Sequence, residues 1–290
     1  MTGLGASLTD GYTSGGNTGT NSNVIDKFPF GTPANATDFG DLTVTRRTVA
    51  GQSSSIDGYS SGGFASVRSN VIDKFPFGTP ANATDFGDLT VARDSVTGQS
   101  SSTEGYTSGG DTGAYSNVID KFPFGTPANA TDFGDLTVTR TLSAGQSSST
   151  EGYISGGLTI VTYSNVIDKF PFGTPANATD FGDLTVARQT VAGQSSSTDG
   201  YTSGGYTGTN SNVIDKFAFG TPANATDFGD LTVARRLISG QSSSTDGYTS
   251  GGYTVTGVNI IDKFTFGAPA NATDFGDLTV ARYSVSGNQG

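Results

Sequence analysis

The chain has 290 residues, of which 43 are glycine, 26 are acidic and 15 are basic, and it contains no cysteine, histidine or tryptophan. Without Cys and His, the sequence excludes disulfides, thiolate nucleophiles, the usual zinc, haem and copper sites, and a Ser-His-Asp triad. The formal charge of -11 argues against nucleic acids and anionic membranes as partners, because binding to either draws mainly on Lys and Arg.

The balance of residue types indicates a fold class. Hydrophobic residues make up 33% of the chain and charged residues 14%, which describes neither a coiled coil nor a strongly charged disordered chain. An all-β, turn-rich protein tolerates this much Gly, Ser and Thr. No apolar run reaches membrane-spanning length, and residues 1–8 lack the basic region and apolar core of a signal peptide, so we expect neither feature.

An internal repeat runs through nearly the whole chain. Each copy combines constant segments, such as Gly-Gln-Ser-Ser-Ser and Val-Ile-Asp-Lys-Phe, with two variable stretches. The tripeptide Asp-Lys-Phe recurs every 47 residues, with one interval of 48, and begins at Asp26, Asp73, Asp120, Asp168, Asp215 and Asp262. A repeat of this length means that one supersecondary unit is built six times.

In chain order, each copy predicts four short β-strands. In the second copy they fall at 47–51, 58–62, 70–77 and 84–92, where Val, Ile, Thr, Phe and Tyr dominate without a helical period. The segments Gly-Gln-Ser-Ser-Ser, Gly-Gly and Gly-Thr-Pro-Ala-Asn supply the breaks between these strands. Four strands in each of six repeats predict a six-bladed β-propeller rather than a helical solenoid.

The constant residues resemble the kelch motif over essentially the full chain. In the second copy the motif is Tyr-x-x-Gly-Gly at 59–63, then Val-Ile-Asp-Lys-Phe, then Phe86, Leu89 and Arg93. The usual tryptophan of that family is missing, and its expected replacements are Phe39, Phe86, Phe133, Phe181, Phe228 and Phe275. The resemblance implies that strands a, b, c and d of each blade run from the inside outward. Long runs of near-identical kelch-like units also resemble repeat proteins of environmental bacteriophages, which implies a virion or cell-surface context.

The two ends of the sequence predict how the ring closes. The chain starts in strand b, at 11–15, and ends after an extra strand a, at 283–287. We therefore expect the C-terminal strand to take the innermost place in the blade that the N-terminal strand begins. This pairing closes the ring and removes two open sheet edges.

The variable stretches predict a recognition face. One follows Gly-Gly, between strands b and c, and the other follows the repeated Arg, between strands d and a. In an antiparallel four-stranded blade these two turns leave at the same end, so both stretches lie on one face.

That face carries every tyrosine and arginine outside the constant segments, and Tyr and Arg are enriched in recognition hot spots. The alternative is that these loops vary because solvent tolerates the variation. The candidate binding residues are Tyr115, Tyr163, Tyr206, Tyr253, Tyr283, Arg47, Arg68, Arg236 and Asp94.

Each copy also holds a pair of aspartates, such as Asp38 and Asp41, that invites an enzymatic or metal-binding interpretation. Six near-identical copies argue against it, because general acid and base work needs two carboxyl groups in different surroundings. We expect these aspartates to cap turns or to accept backbone N–H bonds near Gly40. We expect no catalytic residue, no metal and no other cofactor.

The remaining constant residues have structural interpretations. The sets that begin with Phe28, Phe30 and Phe39 are expected to form a core between blades. The repeated arginines suggest a ring near the central channel, but like charges repel, so each is expected to pair with a carboxylate of its own or the neighbouring blade. These arginines are Arg46, Arg93, Arg140, Arg188, Arg235 and Arg282. Asp26 or Asp41 and their counterparts are the available carboxylates.

Together these features predict an all-β chain in which residues 1–290 form one six-bladed propeller. We expect a non-catalytic binding module that recognises a protein or a surface glycan through the variable face, in a phage adhesion or virion component. The alternative is a structural decoration or spacer module of an assembly, whose loops have no ligand.

Overall fold

The computed structural model describes residues 9–290, which form β-strands numbered β1 to β24 along the chain and no helix. Residues 9–290 therefore contain no helix long and apolar enough to cross a membrane. Residues 1–8, on which the signal-peptide prediction rests, lie outside the described part. The strands form six four-stranded antiparallel sheets, which are the blades of a β-propeller.

All six blades share one strand order, a-b-c-d, and the a strands of adjacent blades contact each other around the central axis. The a strands are β4 (Ala50–Ser53), β8 (Thr97–Ser100), β12 (Ala144–Ser147), β16 (Ala192–Ser195), β20 (Ser239–Ser242) and β24 (Ser286–Gln289). The b strands are β1 (Asp10–Ser14), β5 (Asp57–Ser61), β9 (Glu104–Ser108), β13 (Glu151–Ser155), β17 (Asp199–Ser203) and β21 (Asp246–Ser250). The c strands are β2 (Val24–Pro29), β6 (Val71–Pro76), β10 (Val118–Pro123), β14 (Val166–Pro171), β18 (Val213–Ala218) and β22 (Ile260–Thr265). The d strands are β3 (Thr37–Asp41), β7 (Thr84–Asp88), β11 (Thr131–Asp135), β15 (Thr179–Asp183), β19 (Thr226–Asp230) and β23 (Thr273–Asp277).

The first and last strands of the chain close the ring. Blade 1 contains β24, β1, β2 and β3, and each later blade contains the next four strands in sequence. Strand β24 pairs antiparallel with β1, with Ser286 opposite Ser14 and Gln289 opposite Gly11. The predicted closure by the C-terminal strand is therefore confirmed.

The a strands begin later than the sequence pattern predicts. Strand β4 starts at Ala50 instead of Arg47, and β24 starts at Ser286 instead of Tyr283. The segment Gly-Gln-Ser, which the sequence predicted as a break, is itself part of the strand. Its glycine is required because adjacent inner strands approach so closely that a side chain would not fit at that position. A Cβ atom on Gly98 would lie 2.1 Å from the carbonyl oxygen of Gly51 in the preceding blade.

Two closed rings of hydrogen bonds join the inner strands. In the first ring, the residue two positions before each a strand donates its backbone N–H to the carbonyl of its counterpart in the preceding blade, over 2.7 to 3.1 Å. These residues, all in the left-handed region with φ between 55° and 58°, are Thr48, Ser95, Leu142, Thr190, Leu237 and Ser284. In the second ring, the N–H of the last a-strand residue donates to a side-chain oxygen in the following blade. Blade 1 has Gln289 where the others have Ser; its Oε1 accepts from Ser242, and its N–H donates to Ser53 Oγ.

The hydrophobic core lies between the blades, as predicted for the phenylalanine sets. The ring of Tyr12 in blade 1 lies 5.0 Å from that of Phe39, 5.7 Å from that of Phe75 and 4.8 Å from that of Phe77, centroid to centroid. Phe75 and Phe77 belong to blade 2, so the cluster ties two blades together. Equivalent clusters occur at all six blade junctions.

Because these core tyrosines are buried, we expect the free energy of unfolding to fall at alkaline pH. Burial raises the pKa of the phenol in Tyr12, Tyr59, Tyr106, Tyr153, Tyr201 and Tyr248, in Tyr201 to about 12. Their stabilising contribution is complete below the unfolded pKa of about 10 and is lost as the pH rises towards the folded values. Between its unfolded and folded pKa values, each such phenol lowers the free energy of unfolding by about 1.4 kcal/mol for every pH unit.

Urea denaturation between about pH 9 and about pH 11 measures this dependence. Tyr201→Phe, which removes one ionisable hydroxyl, should make the fall shallower. A free energy of unfolding that stays level across this range would contradict the prediction.

Candidate functional site

The structure brings the two variable stretches of each blade side by side. The residue after each buried arginine forms a backbone bridge with the residue after Gly-Gly in the same blade. The bridged pairs are Asn17 with Tyr283, Arg47 with Phe64, Asp94 with Asp111, Thr141 with Leu158, Gln189 with Tyr206, and Arg236 with Tyr253. We call the surface formed by the b–c loops and these bridged residues the variable face.

Five of the predicted residues form a continuous contact chain, which we call the aromatic arc. Tyr163 of blade 4 lies 6.0 Å from Tyr206 of blade 5, between ring centroids. The guanidinium carbon of Arg236 lies 4.5 Å from the Tyr206 centroid and 5.2 Å from that of Tyr253 in blade 6. Tyr253 lies 5.1 Å from Tyr283, which leads into blade 1. The arc therefore spans blades 4, 5, 6 and 1.

The other predicted residues lie outside the arc. Arg68 of blade 2 donates to Asp111 Oδ1 at 2.9 Å and lies 3.4 Å from Asp94 Oδ2, so its charge is neutralised within the chain. Tyr115 bridges to Asp111 and stacks on no aromatic ring among residues 9–290. The structure thus brings five of the nine candidate residues together in the arc, and it places the other four elsewhere on the variable face.

Arg47 stacks on an aromatic residue that the sequence analysis did not select. Its guanidinium carbon lies 5.0 Å from the ring centroid of Phe64, and it donates to Asn21 Oδ1 at 3.3 Å. Phe64 follows Gly-Gly, as Tyr206 and Tyr253 do. An aromatic residue at that one position in three copies was the signal that sequence analysis could have used.

The loop tips add an aliphatic component to the variable face. All nine predicted residues are half-buried rather than fully exposed. The most exposed large apolar side chains of this face are instead at the b–c loop tips of blades 2, 4 and 6, namely Val67 at 69%, Ile160 at 79%, Val161 at 86% and Val255 at 83%. Blades 1, 3 and 5 carry Thr-Gly-Thr or Thr-Gly-Ala at this place, so the aliphatic substitutions could also have been recognised from the sequence.

The constant arginines lie between blades and do not line the channel. Arg46 is fully buried, and its Nη2 lies 2.9 Å from Asp73 Oδ2 of the following blade. Burial lowers the pKa of this guanidinium and Asp73 opposes the shift, and guanidinium groups remain charged in proteins. All six pairs use the aspartate of Asp-Lys-Phe, and the sixth, Arg282 with Asp26, joins blade 6 to blade 1. The predicted pairing is confirmed.

The role predicted for the paired aspartates is wrong. The carboxylates of Asp38 and Asp41 accept no hydrogen bond from the described residues. The backbone N–H of Asp41 instead donates to Asn82 Oδ1 at 3.1 Å, so an asparagine of the next blade makes the turn contact. Across residues 9–290, no group of three or more Asp or Glu is placed to hold a metal ion.

The central channel forms a cavity with a volume of about 1260 Å³. The a strands and the serines that follow them line it, together with the residues of the first hydrogen-bond ring. No charged side chain is among its lining residues. The channel is therefore a neutral, hydroxyl-rich passage, distinct in chemistry from the aromatic and charged variable face.

Two comparisons with known proteins are negative. No family model matches the chain, and no curated protein matches it significantly. The resemblances to kelch repeats and to bacteriophage repeat proteins therefore stay predictions, while the six-bladed architecture rests on the structure.

Proposed function

We propose that the chain is a non-catalytic interaction module that binds a protein partner through the variable face. β-Propellers commonly serve as protein-interaction modules. The observation that carries the proposal is the aromatic arc, which gathers Tyr and Arg side chains from four blades onto one rigid surface. Large, stiff aromatic side chains and Arg supply most of the binding energy in protein interfaces.

The composition of the variable face favours a protein over a glycan. Val67, Ile160, Val161 and Val255 present aliphatic side chains beside the polar and aromatic groups. Burying such side chains against an apolar surface of a partner stabilises the complex by about 25 cal/mol per Å² of apolar surface removed from water. A protein offers that surface more readily than a sugar does, so a surface glycan is the alternative ligand. The bacteriophage resemblance supports a virion or host-surface setting.

A non-catalytic role is supported by the symmetry of the constant residues. Each blade gives its aspartates nearly the same surroundings, whereas acid–base catalysis needs carboxyl groups whose pKa values are pushed apart. The tyrosines and arginines that break the sixfold symmetry are all on the variable face, where they suit recognition.

The b–c loop of blade 1 shows which substitution in blade 5 the fold can accommodate. The b–c loop of blade 5 differs from that of blade 1 only in having Tyr206 where blade 1 has Asn17. Tyr206→Asn therefore creates a loop that this fold already accommodates, and Tyr253→Asn removes the second central ring of the arc. We expect the double variant to keep its melting temperature but to bind a purified partner at least about 30-fold more weakly, as for the loss of a hot spot of about 2 kcal/mol.

The partner is first identified by comparing proteins retained by the wild-type chain with those retained by this double variant, and glycan arrays are screened in parallel. Tyr115→Asn, outside the arc, serves as the matched control and should bind normally. Glycan binding that disappears in the double variant would make the ligand a sugar. Equal retention of every ligand by all three chains would leave a structural spacer role as the better account.

A further inference from the structure

Two arginines on the variable face differ from the other basic residues in having no carboxylate partner among the described residues. Of the 15 basic residues, the six constant lysines, the six constant arginines and Arg68 each lie within 4.0 Å of a carboxylate. Arg47 and Arg236 have no such partner among residues 9–290. In a chain with a formal charge of -11, two uncompensated cations on one face are a marked departure from the general pattern.

Arg236 has the fewer hydrogen-bond partners of the two arginines. Tyr206 and Tyr253 cover it at 4.5 Å and 5.2 Å, while Arg47 already donates to Asn21. The Arg236 guanidinium makes no hydrogen bond with the described residues, and its nitrogens are not buried. Stacking on aromatic rings leaves the in-plane N–H groups of a guanidinium free to bind an oxyanion.

The surroundings of Arg236 are held in place before any ligand binds. Its backbone N–H donates to the carbonyl of Tyr253 at 3.2 Å, and the Tyr253 N–H donates back at 2.8 Å. Asn210 of blade 5 donates its side-chain N–H to the Thr254 carbonyl at 2.8 Å, which fixes the blade 6 loop against its neighbour. A fixed planar fork of donors matches the two oxygens of a carboxylate.

We propose that Arg236, held between Tyr206 and Tyr253, is the receptor for an aspartate or glutamate carboxylate on the protein partner. The inference rests on the proposed function and adds the chemistry of its central contact. The carboxylate supplies the counter-charge that the chain lacks at this position, and the tyrosine rings pack against the apolar stem of the acidic side chain. Arg47 on Phe64, across blade 1, provides a second cation for a partner with several acidic residues.

The probe is an N-acetylated, C-amidated tetraglutamate peptide, titrated into the full chain while the arginine Nε–H resonances are followed by NMR. We expect saturable shifts at Arg236, smaller ones at Arg47 and none at the ion-paired Arg68. A tetraglutamine peptide should cause no shift. Saturable binding of a phosphopeptide or a sulfated oligosaccharide at Arg236, without response to tetraglutamate, would overturn the carboxylate assignment, as would equal shifts at all three arginines.

Variants give a second readout with the identified partner. Arg236→Gln should weaken binding about tenfold or more at an unchanged melting temperature, as for loss of one charge-assisted bidentate contact. Arg236→Lys, which keeps the charge without the planar fork, should restore only part of the affinity, and Arg68→Gln should change it little. If Arg236→Gln binds normally while the Tyr206 and Tyr253 double variant does not, the carboxylate inference fails and the proposed function stands. If both bind normally, the proposed function itself fails.

Discussion

Removal of the residues after Arg282 is expected to open the ring and to lower the melting temperature sharply. Strand β24 is the inner strand of blade 1, and both hydrogen-bond rings pass through it or the residues before it. The truncation also removes buried Val285 from the core at the blade 6–blade 1 junction. The loss should be on the order of the net stability of a domain, about 5–15 kcal/mol.

Thermal and urea unfolding of the truncated and complete chains measure this effect. Gln289→Ala is the matched point variant, because it breaks the second ring at one bond and leaves the strand in place. It should cost about 1–3 kcal/mol. A truncated chain with an unchanged transition would show that β24 does not hold the ring closed.

Asp215→Asn is expected to destabilise the chain by about 3–5 kcal/mol, the usual cost of breaking a buried ion pair. Asp215 Oδ2 lies 2.8 Å from Arg188 Nη1, and both side chains are fully buried. The same carboxylate accepts from the hydroxyl and backbone N–H of Thr185, at 2.6 Å and 3.1 Å. The variant leaves a buried guanidinium without a counter-charge at the junction of blades 4 and 5.

The neighbouring residue in the same strand provides the control. Lys216 pairs with Asp199 at 3.2 Å, but its side chain is 26% exposed. Lys216→Met should therefore cost only about 0.2–1 kcal/mol, as surface ion pairs do. Equal free energies of unfolding for the two variants would mean that burial does not set the strength of these pairs.

The repeat made the architecture predictable from the sequence. A regular period with four β-prone runs led to six blades, and the leftover strand at the C-terminus led to ring closure by β24. The start of each a strand was not predictable in the same way. Gly51 is a poor strand former, and it occupies the strand because the preceding blade approaches too closely for a side chain, which is a tertiary constraint.

The sequence predicted most residues of the candidate site but not which of them contact one another. The pattern located Tyr206, Arg236 and Tyr253 on one face, because turn direction in an antiparallel blade is fixed by topology. It could not show that Arg236 inserts between two rings from adjacent blades while Arg68 is neutralised by Asp94 and Asp111. Such contacts depend on the rotation between neighbouring blades and on side-chain rotamers, which no spacing rule encodes.

Hydrogen–deuterium exchange of the chain with and without its purified partner tests most directly whether the variable face is the binding surface. We predict protection in the b–c loops of blades 4, 5 and 6, at 158–163, 206–211 and 253–258, with no change in the constant c–d loops on the opposite face. Protection confined to the c–d loops, with unchanged exchange along the aromatic arc, would contradict the account and favour a structural contact through the constant face.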